Sequence, residues 1–228
     1  MKVDALISAF RTQINDAVAP YLWSDEEIYG YIDAAQKMFC RLAVGISDST
    51  SELTVVWCNA GDEFVTYDSR ILRIRMARRG SDYYDITVRN FEDYMAGQTG
   101  VTDYGSVVRP KLTNEAGPIH TIITNMEQNK IRLVYIPEVD DSVLLTVYRL
   151  PLLTISIDEG NELEIDEQHH WYLLYWMKHL AYMKEDAETF DKTRAVENES
   201  KFRTYCDEVS REVARREHKV RVVAYGGI

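Results

Sequence analysis

The chain is poor in most of what would mark an enzyme, a secreted protein or a membrane protein. Three cysteines, Cys40, Cys58 and Cys206, stand in 228 residues with no repeated spacing. An odd, irregular set argues against a disulfide framework and against a zinc site, and a reducing setting is the default. No apolar run approaches the ~20 residues that span a bilayer. The longest candidate, Trp171 to Met183, is interrupted by Lys178 and His179. The first residues, MKVDALISAFRTQIND, carry charges throughout, so a chain without a signal peptide and without a membrane partner is expected. Positive charge is also in deficit: the formal net charge is -11. Such a chain is badly suited to gripping nucleic acid through its phosphates, although it can stand beside nucleic acid without sticking to it. No GxSxG, HExxH, Walker-type or dinucleotide glycine pattern occurs.

What is present has a clear order. Residues 3–18 place Leu6, Ile7, Phe10, Ile14 and Val18 at helical spacing, and Pro20 ends the pattern. Ser24 followed by Glu27 reads as a capping box for a second helix reaching about Ala43, with Ile28, Ile32, Ala35, Phe39 and Leu42 inward. From Ser51 the period changes to short runs of Val, Ile, Tyr and Thr: LTVVWC, EFVTY, ILRIRMAR, YYDITVR, TIIT, IRLVYI and VLLTVYRL. Close spacing and intervening turn residues predict antiparallel hairpins in a small sandwich or open barrel. Within LRIRM, strict alternation puts Leu72, Ile74 and Met76 on one face and Arg73 and Arg75 on the other. NFEDYMAG reads as a helical turn, and residues 97–118, rich in Gly and Pro, read as a long loop.

The closing third contains the most distinctive pattern. Asp166 is an N-cap for a helix apolar on most sides, with Trp171, Leu173, Leu174, Trp176, Met177, Leu180 and Ala181. An acidic break, Glu185 to Asp191, precedes a long charged helix to about Val220 whose narrow stripe is Phe202, Cys206, Val209, Val213 and Val220. The expected fold class is α+β: a helical bundle of four main helices with an inserted antiparallel β-sandwich-like domain and an extended C-terminal tail. The expected domains are 1–50 and 158–220, helical; 51–157, the β insertion; and 221–228, the tail.

Candidate chemistry is weak beside its ordinary readings. His169 and His170 are adjacent and point apart, and His179 lies nearly three turns on, so packing or surface histidines are expected and no metal. Asp25, Glu26, Glu27, Asp140, Asp141, Asp158 and Glu159 read as caps, turns and solvated faces. Cys40 and Cys206 sit on apolar stripes, as buried thiols do. No cofactor and no enzymatic activity are expected. Arg70, Arg73, Arg75, Arg78, Arg79 and Arg89 gather positive charge in the β region, and a subunit interface with an acidic neighbour, including another copy of this acidic chain, is the functional reading of the first five. The tail Arg221, Val222, Val223, Ala224, Tyr225, Gly226, Gly227 and Ile228 is apolar where termini are usually polar, which points to pairing with a partner.

The order of elements, the segment PYLWSDEEIYGYIDAAQKMFCRLA and above all YMKEDAETFDKTRAVENESKF resemble the head-to-tail adaptor (connector) proteins of tailed bacteriophages. The acidic turn Asp186-Ala187-Glu188-Thr189 corresponds to the turn between two helices in that family, and YDSRILRIRMARRGSDYYDITVRNFEDY resembles its β part. The resemblance implies a structural protein of the virion neck, assembled in the host cytoplasm. It implies a homo-oligomeric, dodecameric ring under the portal protein that extends the DNA channel and meets tail or nozzle proteins. It also implies that Arg221 to Ile228 docks on the portal and that double-stranded DNA passes without specific binding. The alternative from a different class is a tail or baseplate module that recognises a glycan or host surface through Tyr83, Tyr84, Tyr94 and Tyr104.

Overall fold

The computed structural model describes residues 2–97, 100–101, 107–108, 112, 114–157, 162–185 and 189–217. In chain order the elements are α1 (Val3–Gln13), α2 (Asp25–Leu42), β1 (Ile46–Asp48), a 3-10 turn (Glu52–Thr54), β2 (Val55–Cys58), β3 (Phe64–Thr66), β4 (Ile71–Arg79), β5 (Asp85–Asn90), α3 (Phe91–Gly97), β6 (Gly100–Val101), β7 (Val107–Val108), β8 (Thr121–Glu127), β9 (Lys130–Leu133), β10 (Asp141–Arg149), α4 (Glu167–Tyr182) and α5 (Lys192–Glu217). They form two compact units, one of residues 1–45 and 151–228, the other of residues 46–150.

In the first unit, α1 buries Val3, Leu6 and Phe10, spaced three and four apart so that they share one stripe. Phe10 meets the Trp23 ring edge-on at 6.3 Å between centroids. Behind it Arg11 is buried, its Nη1 donating to Asp16 at 2.6 Å and its Nη2 to Asp25 and to the Trp23 carbonyl. The guanidinium is planar and has donors for all three acceptors, which is what allows a charge to sit there. At the start of α2 the Ser24 hydroxyl accepts from the Glu27 amide while Glu27 accepts from the Ser24 amide, a closed capping box. The connector after residue 150 is pinned to α2: the Ile155 amide donates to Asp33, and the Glu164 amide to the buried Gln36.

Helix α4 packs on α2, with the His169 ring 4.7 Å from Phe39, and on α5, with Trp176 5.3 Å from Phe202. It buries Leu173, Leu174, Trp176, Met177 and Ala181, each worth roughly 1 to 3 kcal/mol for the larger side chains. Trp171, expected inward with them, is half exposed instead. On α5, Ala195, Phe202, Cys206 and Val209 are buried and Val213 is half-buried, while Val220 lies outside the described residues. Ser210 donates to the Ala43 carbonyl just past the end of α2, at 2.8 Å, satisfying a group the helix leaves open.

The second unit is built on one eight-stranded sheet with the order β1-β10-β4-β5-β8-β9-β3, β2 pairing β10 beside β1. The sheet curls. Val56 and Cys58 of β2 and Val65 of β3, from opposite ends of that order, share a single buried cluster with Ile71, Ala77, Ile86, Ile122, Ile131, Leu133, Val143, Leu145 and Val147. On the reverse face α3 lays Tyr94 against Ile123 and Val134. Strands β6 and β7 form a separate antiparallel pair.

The expected fold class is corrected here. The chain is mixed α/β, with five α-helices among the described residues, one of them inside the β unit, so a bundle of four main helices is not the architecture. Neither is a two-sheet antiparallel sandwich. Eight of the ten strands form one curled sheet, and β5 pairs β8 in parallel, with Val88 opposite Ile122 and Arg89 opposite Ile123. The chain returns to β5 from the same end after α3 and residues 98–120, which makes a parallel neighbour possible where a tight hairpin would not.

The strict alternation expected along β4 is corrected as well. Against β10, Thr146 pairs Met76 but Val147 pairs Ile74, and Tyr148 pairs Arg73 but Arg149 pairs Ile71. Arg75 and Leu72 are therefore extra residues, two β-bulges that each shift the facing by one position. Ile71, Ile74 and Ala77 turn to the core at intervals of three, while Leu72 and Met76 are exposed at 40% and 49%.

Candidate functional site

Directly opposed residues of an antiparallel pair share a face, so the register defines what the outer side of β2, β10 and β4 presents. Ser142 opposes Trp57, Leu144 opposes both Val55 and Arg78, Thr146 opposes Met76, and Tyr148 opposes Arg73. Trp57 is 75% exposed. Arg75, on its bulge, lays its guanidinium over the Tyr148 ring at 4.9 Å. Arg78 donates through Nε to Asp85 on β5 at 2.8 Å, both side chains exposed. Arg73 forms no ion pair among the described residues. The face is thus cationic and apolar together.

The remaining arginines do other work. Arg70 forks onto Asp68 through Nε and Nη2, and that hydrogen bond holds the Asp68 carboxyl below its usual range. Arg79 forks onto Asp82, pulling the Asp82 carboxyl down to about 2 and raising its own proton affinity. Its opposition to Val143 sets it apart from Arg78. Arg89 on β5 is exposed. Of the five arginines singled out as an interface, the sheet brings Arg73, Arg75 and Arg78 to one face and ties Arg70 and Arg79 into local turns.

Other candidates separate. His169 Nδ1 is hydrogen-bonded to the Tyr205 hydroxyl at 2.7 Å, His170 Nε2 to the Ile165 carbonyl and His179 Nδ1 to the Ala195 carbonyl. Each ring serves helix packing, and burial lowers the proton affinity of His169. Among the described residues no cluster of three His, Cys, Asp or Glu is placed to hold a metal ion. Asp25 pairs Arg11, and Glu27 pairs Lys184 at 2.7 Å, a contact that lowers its carboxyl. Asp140 and Asp141 accept from the amides of Ala60 and Ser81. Asp158 and Glu159 lie outside the described residues, as does the acidic turn apart from Thr189. Cys40, Cys58 and Cys206 are buried thiols outside any disulfide. Among the described residues no helix is long and apolar enough to cross a membrane.

Of the four tyrosines proposed as a glycan site, the three described ones do not share one surface. Tyr83 and Tyr84 are exposed at a hairpin tip, Tyr94 is buried under α3, and Tyr104 lies outside the described residues. Trp57 was missed by sequence reasoning, although the run VVWC carried the signal: Val56 and Cys58 face the core, so Trp57 between them faces out. The tail Arg221 to Ile228 lies outside the described residues.

Among curated proteins none matches the chain. Residues 1–224 match the family described as SU10 adaptor protein, which is the kind of protein the segment around Asp186 resembles. With nearly its whole length matched, the chain belongs to the SU10 adaptor protein family, a family of phage head-to-tail adaptors.

Proposed function

We propose that the chain is a non-enzymatic connector of the virion neck, assembled in the host cytoplasm as a dodecameric ring under the portal. There it extends the DNA channel and joins capsid to tail or nozzle proteins. The observation that carries this reading is the family match over residues 1–224. Family membership itself implies a structural role, a place in the virion neck and portal and tail proteins as partners. The ring, the channel and the residues below are the proposal.

The subunit interface is assigned to Arg70, Arg73, Arg75, Arg78 and Arg79. The support is the outward clustering of Arg73, Arg75 and Arg78 beside the exposed Trp57 and Met76 in an otherwise acidic chain. Arg70 and Arg79 contribute by shaping the turns at the two ends of β4. The portal-binding element is Arg221, Val222, Val223, Ala224, Tyr225, Gly226, Gly227 and Ile228, with residues 1–50 and 158–220 as the helical domain and 51–157 as the insertion. An acidic lumen suits rapid passage of double-stranded DNA, since it repels phosphates within the ~8–10 Å over which salt leaves charge unscreened.

The test is binding to purified portal rings by the full chain and by a chain ending at Lys219. Full-length protein is expected to form a complex visible by electron microscopy, and the truncated chain to lose it. Equal binding by both overturns the tail assignment.

A further inference from the structure

We infer that the outer face of β2, β10 and β4 receives the acidic loop tip of a second copy of this chain. This deepens the interface reading above and rests on it. The receiving face exposes Trp57 and Met76, with Arg78 in the row between them and Arg73 and Arg75 beyond Met76. Tryptophan and arginine are enriched in interface cores, where they carry much of the binding energy.

The tip is made of three turns, residues 59–62, 80–84 and 137–141. They are locked to one another. The Ala60 amide donates to Asp140 at 2.8 Å and the Gly61 amide to the Pro137 carbonyl at 2.9 Å. Ser81 donates to Asp141 through its amide and its hydroxyl. The Gly80 amide donates to the Ser142 carbonyl at 2.7 Å, so close that a Cβ at position 80 would collide with the Ser142 side chain.

This rigid base presents apolar groups to solvent. Tyr83 has a φ of +57°, a left-handed backbone that aromatic residues avoid. It is nevertheless fixed there, its amide donating to the Arg79 carbonyl and the Arg79 amide to the Tyr84 carbonyl. Strain of this kind gathers at functional sites. Tyr83 is 69% exposed and Val139 71%. Around them stand Asp62, Glu138, Asp140 and Asp141, none of which forms an ion pair among the described residues.

The two surfaces complement each other: both expose apolar side chains, one among guanidinium groups and the other among carboxylates. They occupy different places on the same unit, so joining one copy's tip to another's face is a heterologous contact. Such a contact leaves a free tip and a free face at either end and propagates until a ring closes.

Full-length chains test this. A face variant (Trp57→Ser, Arg73→Ser) and a tip variant (Tyr83→Gly, Val139→Ser) are compared with the parent by sedimentation, alone and on portal rings. Glycine suits the φ at position 83, so the tip variant is expected to fold. Each variant alone is expected to assemble at least tenfold more weakly than the parent. An equimolar mixture is expected to stop at a dimer, since only one pairing remains. As a second readout, Met76→Cys chains mixed with Val139→Cys chains are expected to cross-link through a short bismaleimide. If the parent assembles while the variants do so equally well and the cysteines do not cross-link, the tip-to-face contact is wrong and the ring reading survives. If the parent does not assemble alone or on portal rings, both readings fall. Cross-linking of Met76→Cys to a tail protein in place of this chain overturns the second copy as occupant.

Discussion

Arg149 at the end of β10 donates through Nε to Asp48 of β1 at 2.5 Å, joining positions 101 residues apart with both side chains almost fully buried. The pair lies at one end of the core, on the face of Val147 and Ile71. Burial by itself would raise the Asp48 carboxyl. The Ser51 hydroxyl, the Thr50 and Ser51 amides and Arg149 outweigh it and hold the group far below its ordinary range.

Two results are expected from this pair. Asp48→Asn removes the charge that compensates a buried guanidinium, and a loss of about 3–5 kcal/mol in chemical denaturation is expected. A carboxyl depressed in the folded state adds stability above its unfolded value of ~3.9 and loses it as pH falls below that. The wild type is therefore expected to weaken progressively from about pH 4 downward, and Asp48→Asn to have a shallower acid slope. An unchanged slope would mean the pair is not what the acid titrates.

The bulges at Leu72 and Arg75 decide which β4 side chains matter. Met76→Gln touches an exposed position and is expected to change stability by no more than ~0.5 kcal/mol. Ile71→Ala, at a buried one, is expected to cost about 2–5 kcal/mol. Urea midpoints of the two variants check this, and the reverse order would restore simple alternation.

Tyr205 stacks on Tyr172, their centroids 3.4 Å apart, and is hydrogen-bonded to His169. Burial pushes its hydroxyl up to about 12, with the neighbouring tyrosine adding to the effect. A phenol raised in the folded state stabilises below its unfolded value near ~10, and that stability is lost as pH climbs from there through the folded value. Tyr205→Phe is expected to make the alkaline decline shallower without removing the part due to the raised thiols of Cys58 and Cys206, and to cost about 1 kcal/mol at neutral pH for the lost hydrogen bond. Thermal melts between pH 7 and 11 read both.

Burial likewise pushes the thiols of Cys58 and Cys206 up to about 12. A protonated, inaccessible thiol reacts slowly. With Ellman's reagent, both are expected to react only after denaturation, and prompt reaction of either in native protein would contradict the packing around it.

Much of the local structure was legible where a single short-range cause acts. Ser24 and Glu27 announce the start of α2 because the capping box is a four-residue device. NFEDYMAG was readable as the helical turn that is α3. The pairing of strands was not. Nothing in the composition of β5 or β8 says that they run parallel, because the direction is set by the segment between them. The bulges were hidden for a related reason. LRIRM has the period of a regular strand, and only β10, whose register slips twice against it, reveals the extra residues. The arginines were visible as a group, but their division into face and turn residues depends on Asp68 and Asp82, two and three positions away. Family membership was legible in the segment around Asp186, where the pattern is one of sequence more than of physics.

A closed ring is the proposed state of this neck protein. It is tested most directly by counting copies bound to purified portal rings, by electron microscopy and mass measurement of the complex. One closed ring of this chain, twelve-fold about the portal axis, is the expected result. Portal rings that bind no copies, or bind scattered copies without closing a ring, would contradict it.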